Sequence, residues 1–155
     1  MFNIFKKREK HPSLTFEIRA GLSTGKCIDV GWSWDKLQLE YNESIKQKDY
    51  SRSESLLFVM SWNRFNNGFD HIPFLAKMQE MCLYGILKQP FYTPTDVIIL
   101  TAKDKSCPAC QKLEGMRLSV EEALKKKLLP CLKCGYKKDE KHTVGMCRCM
   151  YIVVT

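Results

Sequence analysis

Sulfur carries most of the chemistry this chain could do. Six of its eight cysteines fall between Cys107 and Cys149: Cys107-Pro108-Ala109-Cys110, then roughly twenty residues on Cys131-Leu132-Lys133-Cys134, then Cys147-Arg148-Cys149, with His142 in the lysine-rich stretch before the last group. A C-x-x-C pair offers two sulfurs from one tight turn, and the intervening segment lets two such turns face each other, which is the spacing of a zinc site. A structural zinc takes four ligands, and seven donors are on offer. Cys107 and Cys110 form the first pair. Cys134 precedes Gly135, a small residue that a knuckle turn tolerates, and Cys147 stands in an alternating, β-rich run. The expected ligands are therefore Cys107, Cys110, Cys134 and Cys147, with Cys131, directly after Pro130, and Cys149 in reserve. Cys27 and Cys82 sit in apolar surroundings and read as core residues. His142 reads as solvent-exposed.

Eight cysteines could also make disulfides, so compartment decides. Met1 to Arg8 has its apolar residues before its basic ones, the reverse of a secretory signal, and no apolar run approaches the roughly 18 residues of a membrane span. A cytoplasmic location is the expectation, and there C-x-x-C spacing means metal or redox chemistry. A redox site needs one C-x-x-C at a strand-to-helix junction with a depressed thiol pKa. Cys107 does follow a predicted strand, but three cysteine groups exceed that need.

The formal charge of +8 is uneven: residues 1–10 carry +3, residues 11–100 carry −1 and residues 101–155 carry +6. The basic end is the cysteine end. One zinc ion held by four thiolates carries about −2, so part of this lysine content offsets a buried anion. The remainder, Lys125, Lys126, Lys127, Lys137 and Lys138, is a weak candidate surface for nucleic acid or another anion.

The elements that would position these groups follow from periodicity. Residues 1–12 read as a disordered basic tail. Leu14, Phe16, Ile18 and Ala20 alternate with polar residues, and after the Gly21–Gly25 turn so do Ile28, Val30 and Trp32, giving a β-hairpin. Gly21 to Lys26 is one residue too short for a phosphate-binding loop, with Cys27 where a Ser or Thr belongs. Three helices follow. Trp34, Leu37, Tyr41 and Ile45 stripe the first, to about Lys48. The second opens at Ser51 with Glu54 in capping-box spacing, turns Leu56, Leu57, Met60 and Phe65 inward and stops at Asn66-Asn67-Gly68. The third runs from about Pro73 to Lys88 with Phe74, Met78, Met81 or Cys82 and Gly85 on one face. Helix, Lys48-Asp49-Tyr50 link and helix resemble one tetratricopeptide-like unit, and a small helical core is the reading adopted. Asp70-His71-Ile72-Pro73 is similar to the HNH nuclease string in which a His activates water beside a metal. The Asn and His that should follow are missing, and Pro73 suits the first turn of a helix capped by Asp70.

Asp96 to Thr101 is a β-branched run that reads as a buried strand leading into the first cysteine pair. Leu113, Met116 and Leu118 around Gly115 predict a turn or hairpin over the metal. Ser119-Val120-Glu121-Glu122 is a second capping box, opening a helix with Val120, Ala123, Leu124 and Leu128 inward and lysines at its C-terminal end, where the dipole favours cations. Met146 to Val153 predicts a last strand carrying Cys147 and Cys149 on one face and pairing with 96–101.

These same residues carry a family resemblance. Thr101-Ala102-Lys103-Asp104, then Cys107-Pro108-Ala109-Cys110, Leu113-Glu114-Gly115, Pro130 and Cys147-Arg148-Cys149 resemble the C-terminal motif of Mu F-like phage minor head proteins, over about the last third of the chain. Where that family has a His shortly before Cys-Arg-Cys, this chain has Cys131-Leu132-Lys133-Cys134 and a longer loop. The resemblance implies a metal-clamped module in a phage or mobile-element setting, with contacts to DNA or capsid components.

The expected architecture is thus α+β: a tail (1–12), a β-hairpin and a bundle of about three helices (13–95), and a zinc-clamped α+β module (96–155). The expected function is a non-enzymatic binding module for nucleic acid or a protein partner. A metal-dependent hydrolase or nuclease, or a thiol redox protein using the cysteine cluster, is the alternative.

Overall fold

The structure is a computed structural model that describes residues 32–89, 96–103, 106–131, 147 and 149–154. The expected tail, the hairpin before Trp32 with Cys27, the Gly21–Lys26 loop and residues 90–95 lie outside the described residues.

Helix α1 spans Trp34–Lys46, capped by Ser33, whose hydroxyl accepts from the Lys36 N–H at 3.3 Å. Its stripe works as the spacing requires: Leu37 and Tyr41 are buried, and Trp34 meets Phe74 edge-on at 5.5 Å. Helix α2 spans Tyr50–Asn66. It begins earlier than the Ser51 capping box predicts, because the Asp49 carboxylate accepts from the Arg52 N–H at 3.0 Å. Glu54, freed from capping, is half-buried against the Cys82 thiol. Ser44 and Ser53 join α1 to α2 through buried hydroxyls 2.8 Å apart, and Arg52 reaches Glu40 at 2.8 Å.

Helix α3 spans Ile72–Leu87, with Pro73 in its first turn and the Asp70 carboxylate accepting from the Ile72 N–H at 3.1 Å. His71 is buried, 5.0 Å edge-on from the Phe65 ring, and its Nε2 has no partner among the described residues. Burial lowers its pKa, with the Asp70 charge opposing. A base whose folded value lies below its unfolded one makes its full contribution above the ordinary imidazole value, about 6.5, and loses it as pH falls from there through the lowered folded value. Urea midpoints of His71→Leu are therefore expected to fall less steeply than wild type between about pH 7 and pH 5; parallel slopes would contradict this.

After α3 the chain turns to sheet. Strand β1 (Asp96–Leu100) lies between β2 (Arg117–Ser119) and β3 (Met150–Val153), both antiparallel to it. The register sets Val97 opposite Leu118 and Ile99 opposite Tyr151, so alternate residues form one buried face. Gly115 adopts φ +71, a left-handed turn that favours glycine, and returns its N–H to the Ile99 carbonyl at 2.9 Å. The pairing of the last strand with 96–101 thus follows the sequence expectation. Its start does not: Cys147 and Cys149 precede β3, because the β1–β3 register ends at Leu100 and Met150 and the chain beyond Thr101 turns away to the first cysteine pair.

Two further helices complete the described fold. The single turn α4 (Pro108–Gln111) was not anticipated, whereas α5 (Val120–Lys126) grows from the predicted capping box. There Ser119 Oγ accepts from the Glu122 N–H at 3.0 Å and Glu122 accepts from the Ser119 N–H at 3.2 Å. Five helices therefore stand among the described residues, where the sequence predicts about three in the bundle and one after Ser119. Replacing Ser119 by Ala is expected to cost about 1 kcal/mol, read from urea unfolding.

The apolar side chains form two clusters. Leu37, Tyr41, Leu56, Leu57, Met60, Phe74 and Met81 fill the space between α1, α2 and one face of α3. Leu75, Leu83 and Ile86, on the other face of α3, join Val97, Ile99, Leu118, Val120, Ala123, Tyr151 and the buried cysteines in the second. Helix α3 thereby connects the bundle to the sheet.

Candidate metal centre

Three pieces of local structure deliver the described cysteines of the cluster. Cys107 sits at the N-cap of α4 with extended backbone, Pro108 opens the turn with its fixed φ, and Cys110 follows within the same turn. The Gln111 N–H donates to the Cys107 carbonyl at 3.0 Å, closing the knuckle that C-x-x-C spacing predicts. Cys131 directly follows Pro130 after α5, and Cys147 and Cys149 lead into β3.

These five side chains are buried and converge on Cys110. Its sulfur lies 3.3 Å from that of Cys131 and 3.8 Å from that of Cys147. Two sets of sulfurs, Cys107–Cys110–Cys131 and Cys110–Cys147–Cys149, have all their members within 4.8 Å of one another and could hold a metal ion. No disulfide joins the described cysteines. A tetrahedral zinc with bonds of about 2.3 Å holds its sulfurs about 3.8 Å apart, so both short separations suit thiolates facing a common ion. Burial pushes the Cys110 thiol far above its ordinary value, with Cys149 opposing and Cys131, Cys107 and Cys147 adding to it. Such a sulfur is a poor nucleophile as a thiol and becomes a ligand when a cation replaces its proton.

The surroundings hold the knuckle in place. Gln79 of α3 is buried and donates from Nε2 to the Cys149 carbonyl at 2.7 Å. Ser106 Oγ accepts from the Ala102 N–H at 2.7 Å while its carbonyl accepts from Gln111 Nε2 at 2.9 Å. Glu114 accepts from the N–H of Thr101 at 2.8 Å and from its hydroxyl, and these bonds hold the Glu114 carboxyl below its ordinary pKa. The end of β1 is thereby tied to the turn after α4. None of Gln79, Ser106 and Glu114 was singled out in advance as supporting the site. The available signal was a glutamine interrupting the apolar residues of α3, which a buried partner would explain.

Of the expected ligands, Cys107, Cys110 and Cys147 are brought together, as are the reserve residues Cys131 and Cys149. Cys134 and His142 lie outside the described residues, as do Lys137 and Lys138. Cys82 belongs to neither set: it packs against the second cluster with its sulfur 4.0 Å from the Tyr151 carbonyl, and burial followed by the Glu54 charge pushes its thiol up to about 12. Lys125, Lys126 and Lys127 are exposed at the end of α5, Lys126 within 3.3 Å of Glu122. No helix among the described residues is long and apolar enough to cross a membrane.

Fold and site together define an α+β chain whose buried cysteines could hold a metal ion between a three-stranded sheet and its helices. Comparison with family models, with curated proteins and with solved structures returns no match.

Proposed function

We propose that this chain is a zinc-structured binding module of phage or mobile-element origin that engages nucleic acid or a protein partner and performs no catalysis. One observation carries the metal reading: five cysteines from three separate stretches of sequence are buried with their sulfurs gathered around Cys110. An all-thiolate donor set sealed from solvent suits a closed structural site, whereas a catalytic zinc keeps an open position for water. The resemblance of residues 101–149 to the C-terminal motif of Mu F-like minor head proteins supports the phage setting. Nucleic acid leads among partners because the residues from 101 onward carry +6 and the lysines ending α5 face solvent.

The test is retention of the zinc-loaded chain on duplex DNA across a salt series, beside Lys125→Glu/Lys126→Glu/Lys127→Glu. Retention that falls linearly in log–log form with salt, and more weakly in the triple variant, is the expected result. Absence of salt-sensitive retention would direct the reading to a protein partner.

A further inference from the structure

We infer that the cysteine cluster holds two divalent, thiophilic cations of the zinc class, bridged by the Cys110 thiolate. The inference rests on the proposed zinc reading and deepens it. In one tetrahedral thiolate site every sulfur lies about 3.8 Å from every other. The described sulfurs do not have that pattern. They form two triangles, Cys107–Cys110–Cys131 and Cys110–Cys147–Cys149, and the mutual closeness does not extend to any set of four. The triangles meet at a single corner, Cys110, whose sulfur lies 3.3 Å from Cys131 in one triangle and 3.8 Å from Cys147 in the other. Two triangles sharing a corner are the sulfur skeleton of a metal–thiolate–metal pair.

Burial argues in the same direction. Cys110 is 1 % exposed, so a terminal thiolate there would lack solvation, while a bridging one is neutralised from both sides. One ion with four of these thiolates leaves about −2 in the core and a fifth buried thiol without a role. Two ions with all five leave about −1. The smaller buried charge is the less costly arrangement. Each thiol gives its proton to solvent as its sulfur becomes a ligand, and no oxidation or reduction is involved. Each ion takes one further donor from outside the five.

Native mass spectrometry of the full chain loaded with zinc, and NMR of the same chain loaded with isotopically enriched cadmium, test the bridge. Two ions per chain and two cadmium resonances split by mutual coupling are expected. Cys149→Ser is expected to lower the count to one ion, and Cys110→Ser to abolish the coupling. Should Cys110→Ser fail to fold, the splitting in the wild-type spectrum decides. One ion with one resonance, unchanged by Cys149→Ser, would overturn the bridged pair and leave the single-zinc reading intact. A chain that binds no ion would overturn both.

Discussion

Stripping the metal from the loaded chain with a chelator is expected to unfold the sheet and α5, the largest loss that any single perturbation here produces. The reason is proportion. Apparent binding energies of structural zinc sites run to about 10–16 kcal/mol, comparable with or larger than the whole stability of an ordinary domain, about 5–15 kcal/mol. The sheet is small: β1 has five residues, β3 four and β2 three, and its buried face rests on Val97, Ile99, Leu118 and Tyr151 beside five cysteines. Without a cation those cysteines are a buried group of thiols with modest packing value. The α1–α2 side has its own apolar cluster with no cysteine among its buried members. Chelation should therefore abolish amide protection at Val97 and Ile99 while part of the helical circular dichroism persists. Unchanged melting and unchanged protection in the chelated protein would show that the sulfurs hold no structural ion.

Much of this arrangement was legible because it is local. The 34–37–41–45 stripe, the inward Leu56, Leu57 and Met60, the strand at 96–100 and the Ser119–Glu122 box each follow from spacing within one element, and each forms. The pairing of the last strand with β1 followed from alternation, whereas the stretch around Gly115 predicts a turn or hairpin and its pairing with β1 does not follow from spacing. The exceptions have a common cause. Whether Asp49 or Ser51 starts α2 is a competition between two acceptors two residues apart, which spacing alone does not rank. The cysteine motif identifies donors but not their partners, because convergence of Cys110 with Cys131 and Cys147 is set by how α5 and β3 pack, tens of residues away in sequence. Cys131, a reserve ligand by its place after Pro130, lies beside Cys110. Gln79 is the extreme case, since a glutamine among apolar residues signals a buried partner but its partner carbonyl is 70 residues further on.

Leu75→Ala is the second large effect, and its comparison with Leu57→Ala gives it meaning. Leu75 and Leu57 are both almost fully buried, so each truncation is expected to cost about 2–5 kcal/mol through lost burial and a residual cavity. Their neighbourhoods differ. Leu57 belongs to the cluster between α1, α2 and α3, whereas Leu75 belongs to the cluster shared with the sheet and cysteines. Leu75 also lies one helical turn before Gln79, the residue that holds the Cys149 carbonyl, so slack at Leu75 passes directly to the strand that delivers Cys147 and Cys149. Denaturant midpoints should fall similarly in the two variants. Zinc transfer to a chromogenic chelator under native conditions should accelerate in Leu75→Ala and stay near wild type in Leu57→Ala. Equal transfer rates in the two would mean that metal release follows global unfolding, and that the second face of α3 exerts no local hold on the cysteine site.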